Sequence, residues 1–225
     1  RLINPYFYFF IMVETVLVFC AHPDDQIFGV GGTVAKYTKE GKKVVFIILS
    51  YGESSHPWFH KHITIDMRVN ETLRADKLVG TKETVFFGLT EGNFSKEAKE
   101  HNIKSKIKNL IKKYKPSKIF THTSSDPHPD HKATEKIVLE AFDSMKYHCD
   151  FYTFDVWNPL NIKRSTAPRL VVDISDTFKI KLKALKCFKS QKAALFSLLW
   201  SVYYRAILLG LQHNCKFAES FYKIR

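Results

Sequence analysis

The sequence predicts an α/β fold, a mostly parallel sheet with helices on both faces. Two observations carry this. Short apolar runs alternate with longer amphipathic ones along the chain, as strands joined by crossover helices do. The apolar runs are also continuous, which suits strands buried on both sides. The chain has 225 residues, 45% hydrophobic and 25% charged, enough for one domain with a substantial core. That balance excludes wholesale disorder, and 9 Gly with 8 Pro exclude a collagen-like or linker-rich chain.

The elements follow in order. Val16–Cys20 reads as a strand. Ile27 to Glu40 reads as a helix, with Gly41 placed to end it. Val44–Leu49 is the next strand, and Ser50–Ile63 a polar, His-rich loop. Asp66–Val79 reads as a helix closed by Gly80, and Val85–Phe87 as a short strand. Between 103 and 115 an apolar stripe (Ile103, Ile107, Leu110, Ile111, Tyr114) faces lysines, which predicts an amphipathic helix. Lys118–His122 is a strand, and Pro129–Tyr147 a helix with Pro in its first turn. Phe151–Val156 and Leu170–Ile174 are later strands, and two helices close the chain. The first, over 178–189, sets Phe178, Leu182, Leu185 and Phe188 against Lys179, Lys181, Lys183 and Lys186, taken as a solvated face.

Residues 12–225 form a single domain on this reading. Met12 precedes the first strand, so residues 1–11 are expected to be an upstream extension, too short in its apolar part to span a bilayer. A second apolar run, Ala193–Tyr204, is stopped by Arg205 below spanning length. It predicts a buried helix or a homo-oligomer interface, with membrane-surface contact as the lesser reading. Cys20, Cys149, Cys187 and Cys215 lie far apart without a CxxC pair, which predicts a reducing, cytoplasmic setting. The net charge of +13 favours anionic ligands, although most lysines sit on helix faces.

Two segments carry chemistry. Ala21-His22-Pro23-Asp24-Asp25 follows the first strand directly, and Pro127-His128-Pro129-Asp130-His131 follows the 118–122 strand and its loop. In open α/β sheets ligands bind outside the carboxyl ends of the strands, so both loops fall where a site is built. Imidazole and carboxylate suit zinc and related divalent ions, and three protein ligands with one open position define a catalytic site. Taken alone, an Asp-Asp pair can cap a helix and a His-Pro pair can be a turn; two such segments converging argue for a site. Gly29, Gly31 and Gly32 are not a dinucleotide fingerprint, because they lie inside the following helix rather than in the turn; close helix–sheet packing explains them.

These residues resemble the paired motifs of the LmbE / PIG-L family of zinc-dependent N-acetylglucosamine deacetylases. The resemblance extends through Arg68, Glu71 and Ala75, through Phe87-Gly88-Leu89-Thr90-Glu91-Gly92, through Lys183-Ala184 and Ser190-Gln191, and to Phe217-Ala218-Glu219-Ser220-Phe221. It implies a Rossmann-like, LmbE-like fold and hydrolysis of the N-acetyl group of an amino sugar, releasing acetate. It implies one Zn2+ per chain held by His22, Asp25 and His131, with Asp24 as general base. His128 is the acid or electrophilic partner, Asp130 tunes the neighbouring His, and Arg68 and Glu91 contact substrate. Two departures stand out. Gln26 follows the Asp-Asp pair where Glu is common, and Glu91 stands where Asp is usual.

Family substrates include chito-oligosaccharides, GlcNAc-inositols, GlcNAc-malate and GlcNAc-phosphatidylinositol. The basic charge favours an anionic conjugate such as GlcNAc-malate or GlcNAc-inositol over diacetylchitobiose. The rivals are a metal-dependent phosphohydrolase on the same ligands and a basic nucleic-acid-binding domain. The second lacks aromatic-interleaved basic motifs, so no nucleic-acid partner is expected. His56-Pro57-Trp58-Phe59-His60-Lys61-His62 reads as a surface loop, with a substrate lid or second metal site as alternatives.

Overall fold

The computed structural model describes residues 13–56, 58–158 and 167–225. The expected extension 1–11 lies outside them. The chain runs β1 (Thr15–Cys20), α1 (Asp25–Lys39), β2 (Lys43–Ile48), α2 (Lys61–Val79), β3 (Glu83–Phe86), α3 (Phe94–Glu100) and α4 (Ile103–Tyr114). It continues with β4 (Lys118–His122), α5 (Pro129–Asp143), β5 (Asp150–Phe154), β6 (Arg169–Asp173), α6 (Phe178–Leu185), α7 (Lys192–Gln212) and β7 (Ala218–Lys223). The sheet order is β3-β2-β1-β4-β5-β7-β6. The first five strands pair in parallel, and β7 runs antiparallel between β5 and β6.

Strand alternation divides the core in two. Val16, Val18, Val44, Phe46 and Phe120 face α1, α2, α6 and α7. Leu17, Phe19, Val45, Ile47 and Ile119 face α3, α4 and α5. Continuous apolar strands therefore feed both layers, and the expected doubly covered sheet is present.

Some elements differ from expectation. The chain closes on strand β7, not on a helix; Ala218–Lys223 alternates polar and apolar residues too weakly to read as a strand alone. Helix α3 was hidden in a charged stretch, held by Phe94 and Ala98. Helix α5 stops at Asp143, and Tyr147 instead donates its hydroxyl to Pro116 O at 2.7 Å. Helix α2 begins at Lys61, shortening the His-rich loop. Helix α7 continues past Arg205, because that guanidinium folds back to Asp155 O at 3.2 Å instead of stopping the helix. The stretch Lys189–Gln212 is thereby long and apolar enough to cross a membrane by length and composition, although Leu198, Val202 and Ala206 bury one side on the protein.

The lysine match also moves. Lys183 is exposed, whereas Lys181 is buried and donates to Glu219 Oε1 and Phe28 O, both at 2.7 Å. Glu219 also accepts from Gly32 N, Thr33 N and Thr33 Oγ1. This buried pair ties α1, α6 and β7 together, which is why the Ala-Glu-x-Phe ending is needed by the fold. Gly29 serves close packing: a Cβ there would lie 2.2 Å from Phe154 Cδ2. Gly29→Ala is expected to cost about 1–3 kcal/mol by overpacking, measured as a lowered Tm in thermal unfolding.

Candidate active site

The strand order reverses between β1 and β4, so the crevice at their carboxyl ends is the place for a site. The two His/Asp segments leave from these ends. Asp24 is the N-cap residue of α1, at φ 117°, a strained conformation for a side chain other than glycine. It turns the chain so that Asp25 opens the helix beneath His22. The His22 N–H donates to Asp25 Oδ2 at 2.8 Å, and the ring Nδ1 lies 3.4 Å from the same oxygen. That oxygen is also 3.3 Å from His131 Nε2 and 3.3 Å from His122 Nε2.

The second segment is pinned by Asp126. It is fully buried and accepts from His128 N, Val156 N and Trp157 N at 2.9–3.0 Å, with His131 Nδ1 3.1 Å away. His128 caps α5, its Nδ1 accepting from Asp130 N–H at 3.2 Å. That bond leaves the neutral ring's proton on Nε2. Asp130 faces a different histidine from the one expected. Its Oδ2 lies 3.2 Å from His22 Nε2, across from the other loop, and the carboxylate accepts Gly92 N–H. The group beside His131 Nδ1 is Asp126.

Arg68 is buried on α2, bonded through Nη2 to Pro23 O and 3.7 Å from Asp24 Oδ1. Glu91 accepts Ser54 N–H at 2.9 Å and lies 3.8 Å from His22 Nε2. Together these residues line an open pocket of about 230 Å³. Its other wall is apolar, from Phe28, Val156, Trp157 and Leu198. His131 lies behind the pocket, fully buried. All eight residues expected at the site thus surround one crevice. Ser54 and Ser55, just before the predicted His56–His62 loop, line the pocket; Lys61 and His62 of that loop belong to α2, and among the described residues its histidines join no three-residue metal group.

The donor set suits a divalent metal. Two overlapping groups have ligand atoms within 4.8 Å of one another: His22, His128 and His131; and Asp25, His122 and His131. The expected trio His22, Asp25 and His131 straddles them. His122 is a poorer ligand, because its Nε2 already accepts Ala21 N–H at 3.1 Å. His131 is buried with neither ring nitrogen in a well-aligned hydrogen bond, an orphaned donor set beside a carboxylate. Electrostatics agree. Burial opposes charge on His22, but Asp130 and Asp25 hold its pKa up at about 10. Burial likewise opposes charge on His131, and Asp25 and Asp126 hold it up at about 9. A shell that holds protons so firmly stabilises a cation, and a metal would displace them. Burial and the His131 charge push His122 down to about 4, so it stays neutral.

A family model described as PIG-L: GlcNAc-PI de-N-acetylase matches residues 17–142, more than half of the chain. The chain belongs to the PIG-L family. The match to PIG-L contains both His/Asp segments, Arg68, Glu91 and Asp126, and stops before α7 and Glu219. Diacetylchitobiose deacetylase of Thermococcus kodakarensis is 29% identical over 224 residues, covering 92% of this chain and 82% of that protein. Probable N-acetyl-alpha-D-glucosaminyl L-malate deacetylase 2 of Bacillus subtilis is 28% identical over 187 residues, covering 80% and 84%. The fold is shared with N,N'-diacetylchitobiose deacetylase from Pyrococcus horikoshii (TM-score 0.74, 21% identity, 95% and 84% coverage). It is also shared with GalB, the 4-carboxy-2-hydroxymuconate hydratase from Pseudomonas putida (TM-score 0.81, 19% identity, 95% and 97% coverage). A hydratase and a deacetylase on one fold show that the fold alone does not choose the reaction; within PIG-L the site must.

His122 and Asp126 were not foreseen as site residues. Both adjoin recognised features: His122 ends a strand at the crevice, and Asp126 immediately precedes Pro127-His128. A polar residue closing a buried strand was the available signal.

Proposed function

We propose that this protein hydrolyses the N-acetyl group of a GlcNAc conjugate, releasing acetate and the free amino sugar, with Zn2+ held by His22, Asp25 and His131. The observation that carries this is the sharing of Asp25 Oδ2 between His22 and His131, beside a strained, buried Asp24. Zinc in such a site supplies Lewis-acid polarisation of the amide carbonyl and acidifies water. Asp24 takes the proton of the attacking water and returns it to the leaving amine. His128, protonated on Nε2, donates a hydrogen bond to the developing oxyanion. Arg68 keeps the Asp24 carboxylate in place, and Asp130 with Glu91 orients His22. Arg68 and Glu91, facing the pocket, also contact the sugar.

The pocket lining supports a different ranking of substrates from the one that net charge suggests. Among the described residues the pocket is lined by Asp24, Asp25, Glu91 and Asp130, with Arg68 its one Lys or Arg. The surplus lysines sit on solvent faces, as on α3 and α4. The reading is therefore a neutral conjugate, such as a chito-disaccharide. Acetate release from diacetylchitobiose is expected to exceed that from GlcNAc-malate, and the reverse order would overturn this choice. Metal analysis should give about one zinc per chain, with acetate release lost on chelation and restored by zinc. Phosphate release from a phosphorylated sugar instead would favour a phosphohydrolase.

We place the protein in the cytoplasm, a setting that four free thiols suit. A second copy is proposed to cover α7. Phe196, Trp200, Tyr203, Tyr204, Ile207, Leu208 and Leu211 are all exposed there, and Arg205 is the one charge between Ala193 and Gln212. These side chains give one helix face the aromatic, charge-poor composition of an interface centre. Sedimentation should show a dimer that Phe196→Glu dissociates. A monomer at micromolar concentration, or flotation of the protein with anionic vesicles, would overturn it.

A further inference from the structure

The residue next to the Asp-Asp pair, Gln26, is fully buried and does not line the pocket. Its Oε1 accepts the Asp24 N–H at 2.9 Å. Asp24 is the residue whose backbone is strained, at φ 117°, and such a conformation persists only where surrounding contacts over-determine it. Helix α1 gives that N–H no partner, because Asp24 precedes its first turn. At the other end of the amide, Gln26 Nε2 is a buried donor and Asp76 Oδ1 a buried acceptor, neither of them in a hydrogen bond of good geometry. Asp76 stands on α2, two turns beyond Arg68, and its Oδ2 accepts the Thr84 hydroxyl at 2.5 Å. Burial pushes the Asp76 carboxyl up to about 7, with Thr84 and the Gln26 amide pulling it back.

We propose that Gln26 is a positioning residue for the reaction: its carbonyl fixes the strained Asp24 turn, and Asp76 sets which way round the amide lies. The chain Asp24–Gln26–Asp76–Thr84 ties the base to α2 and β3, away from both histidine segments. The assignment rests on the deacetylase reading. The amide oxygen of Gln26 presents an acceptor to Asp24 N–H. An apolar side chain of the same length presents none.

Gln26→Met tests this. Acetate release should fall at least tenfold in kcat, with KM within about twofold and zinc content unchanged, because only Asp24 is released. Gln26→Glu combined with Asp76→Asn keeps an acceptor for Asp24 N–H and restores a donor opposite it, and should stay within about threefold of the parent. Full activity of Gln26→Met, an equal loss in the Gln26→Glu, Asp76→Asn pair, or loss of zinc from Gln26→Met would each overturn the proposal. Should Gln26→Met fail to fold, Asp76→Ala frees the amide to rotate and must lower kcat at constant zinc; unchanged kcat overturns the proposal. A parent that releases no acetate refutes the deacetylase reading separately. The pairing is then judged by thermal unfolding, where the Tm losses of Gln26→Met and Asp76→Ala must be non-additive; additive losses overturn it.

Discussion

Asp24→Asn is expected to lower kcat by about 10²–10⁴-fold, the usual contribution of a general base, while zinc stays bound. The substitution keeps the size of the side chain and its place 3.7 Å from the Arg68 guanidinium. It removes the ability to accept a proton and the charge that faces Arg68, but leaves His22, Asp25 and His131 in place. His22→Ala should differ in kind: it takes away a ring that faces Asp25 and Asp130, so metal content falls together with activity. The pH profile separates the cases further. Burial pushes the Asp24 carboxyl up to about 7, Arg68 pulls it down and Asp25 pushes it up again. The base is active as the carboxylate, so kcat/KM rises with pH through its titration. A bound divalent cation favours the carboxylate, which places this acid limb below 7 in the zinc-loaded enzyme. The residual activity of Asp24→Asn should lack the limb. Zinc loss from Asp24→Asn, or a limb that survives the substitution, would remove Asp24 from the role of base.

The parts of this site legible in the sequence are those whose chemistry is local. His22, Asp24 and Asp25 share one turn, and His128, Asp130 and His131 share the start of one helix, so spacing alone gathers each trio. Continuous apolar strands before each segment place both at the same end of the sheet. What spacing cannot give is pairing across the crevice. Asp130 is adjacent in sequence to His131 yet faces His22, because α5 turns the two side chains of one turn towards different neighbours. Asp126 lies just outside the Pro127–His131 segment, and its role appears only when the chain after β5 brings Val156 and Trp157 alongside. Strand β7 was illegible for a related reason. It is antiparallel and joins the sheet late in the chain, and Glu219 faces inward to meet Lys181 instead of solvent. The lysine stripe of α6 misled in the same way, since Lys181 is buried by a partner 38 residues away.

Asp126→Asn is expected to weaken zinc binding by about 10–100-fold, the usual cost of altering a group that orients a metal-bound histidine. Burial opposes the Asp126 charge, yet His131 and the N–H groups of His128 and Val156 hold its pKa down at about 2, so the carboxylate accepts on both oxygens. One oxygen serves Val156 N and Trp157 N; the other serves His128 N and faces His131 Nδ1. This arrangement keeps the proton of a neutral His131 on Nδ1 and leaves Nε2 free towards Asp25. Asparagine can satisfy only one side. With its oxygen towards Val156 and Trp157, its amide points donors at His128 N–H and at His131. The histidine then meets a donor at Nδ1 and shifts its proton to Nε2, the atom required for the metal. Asp126→Ala goes further, removing the acceptor of the buried Val156 N–H and of the part-buried His128 and Trp157 N–H groups together with the buried carboxylate beside His131, and should destabilise the fold by about 3–5 kcal/mol. Chelator competition for zinc together with thermal unfolding distinguishes the two effects. If Asp126→Asn holds zinc as tightly as the parent while its Tm falls, Asp126 is a peg for the 156–157 backbone, and the orientation of His131 comes from its burial against His122.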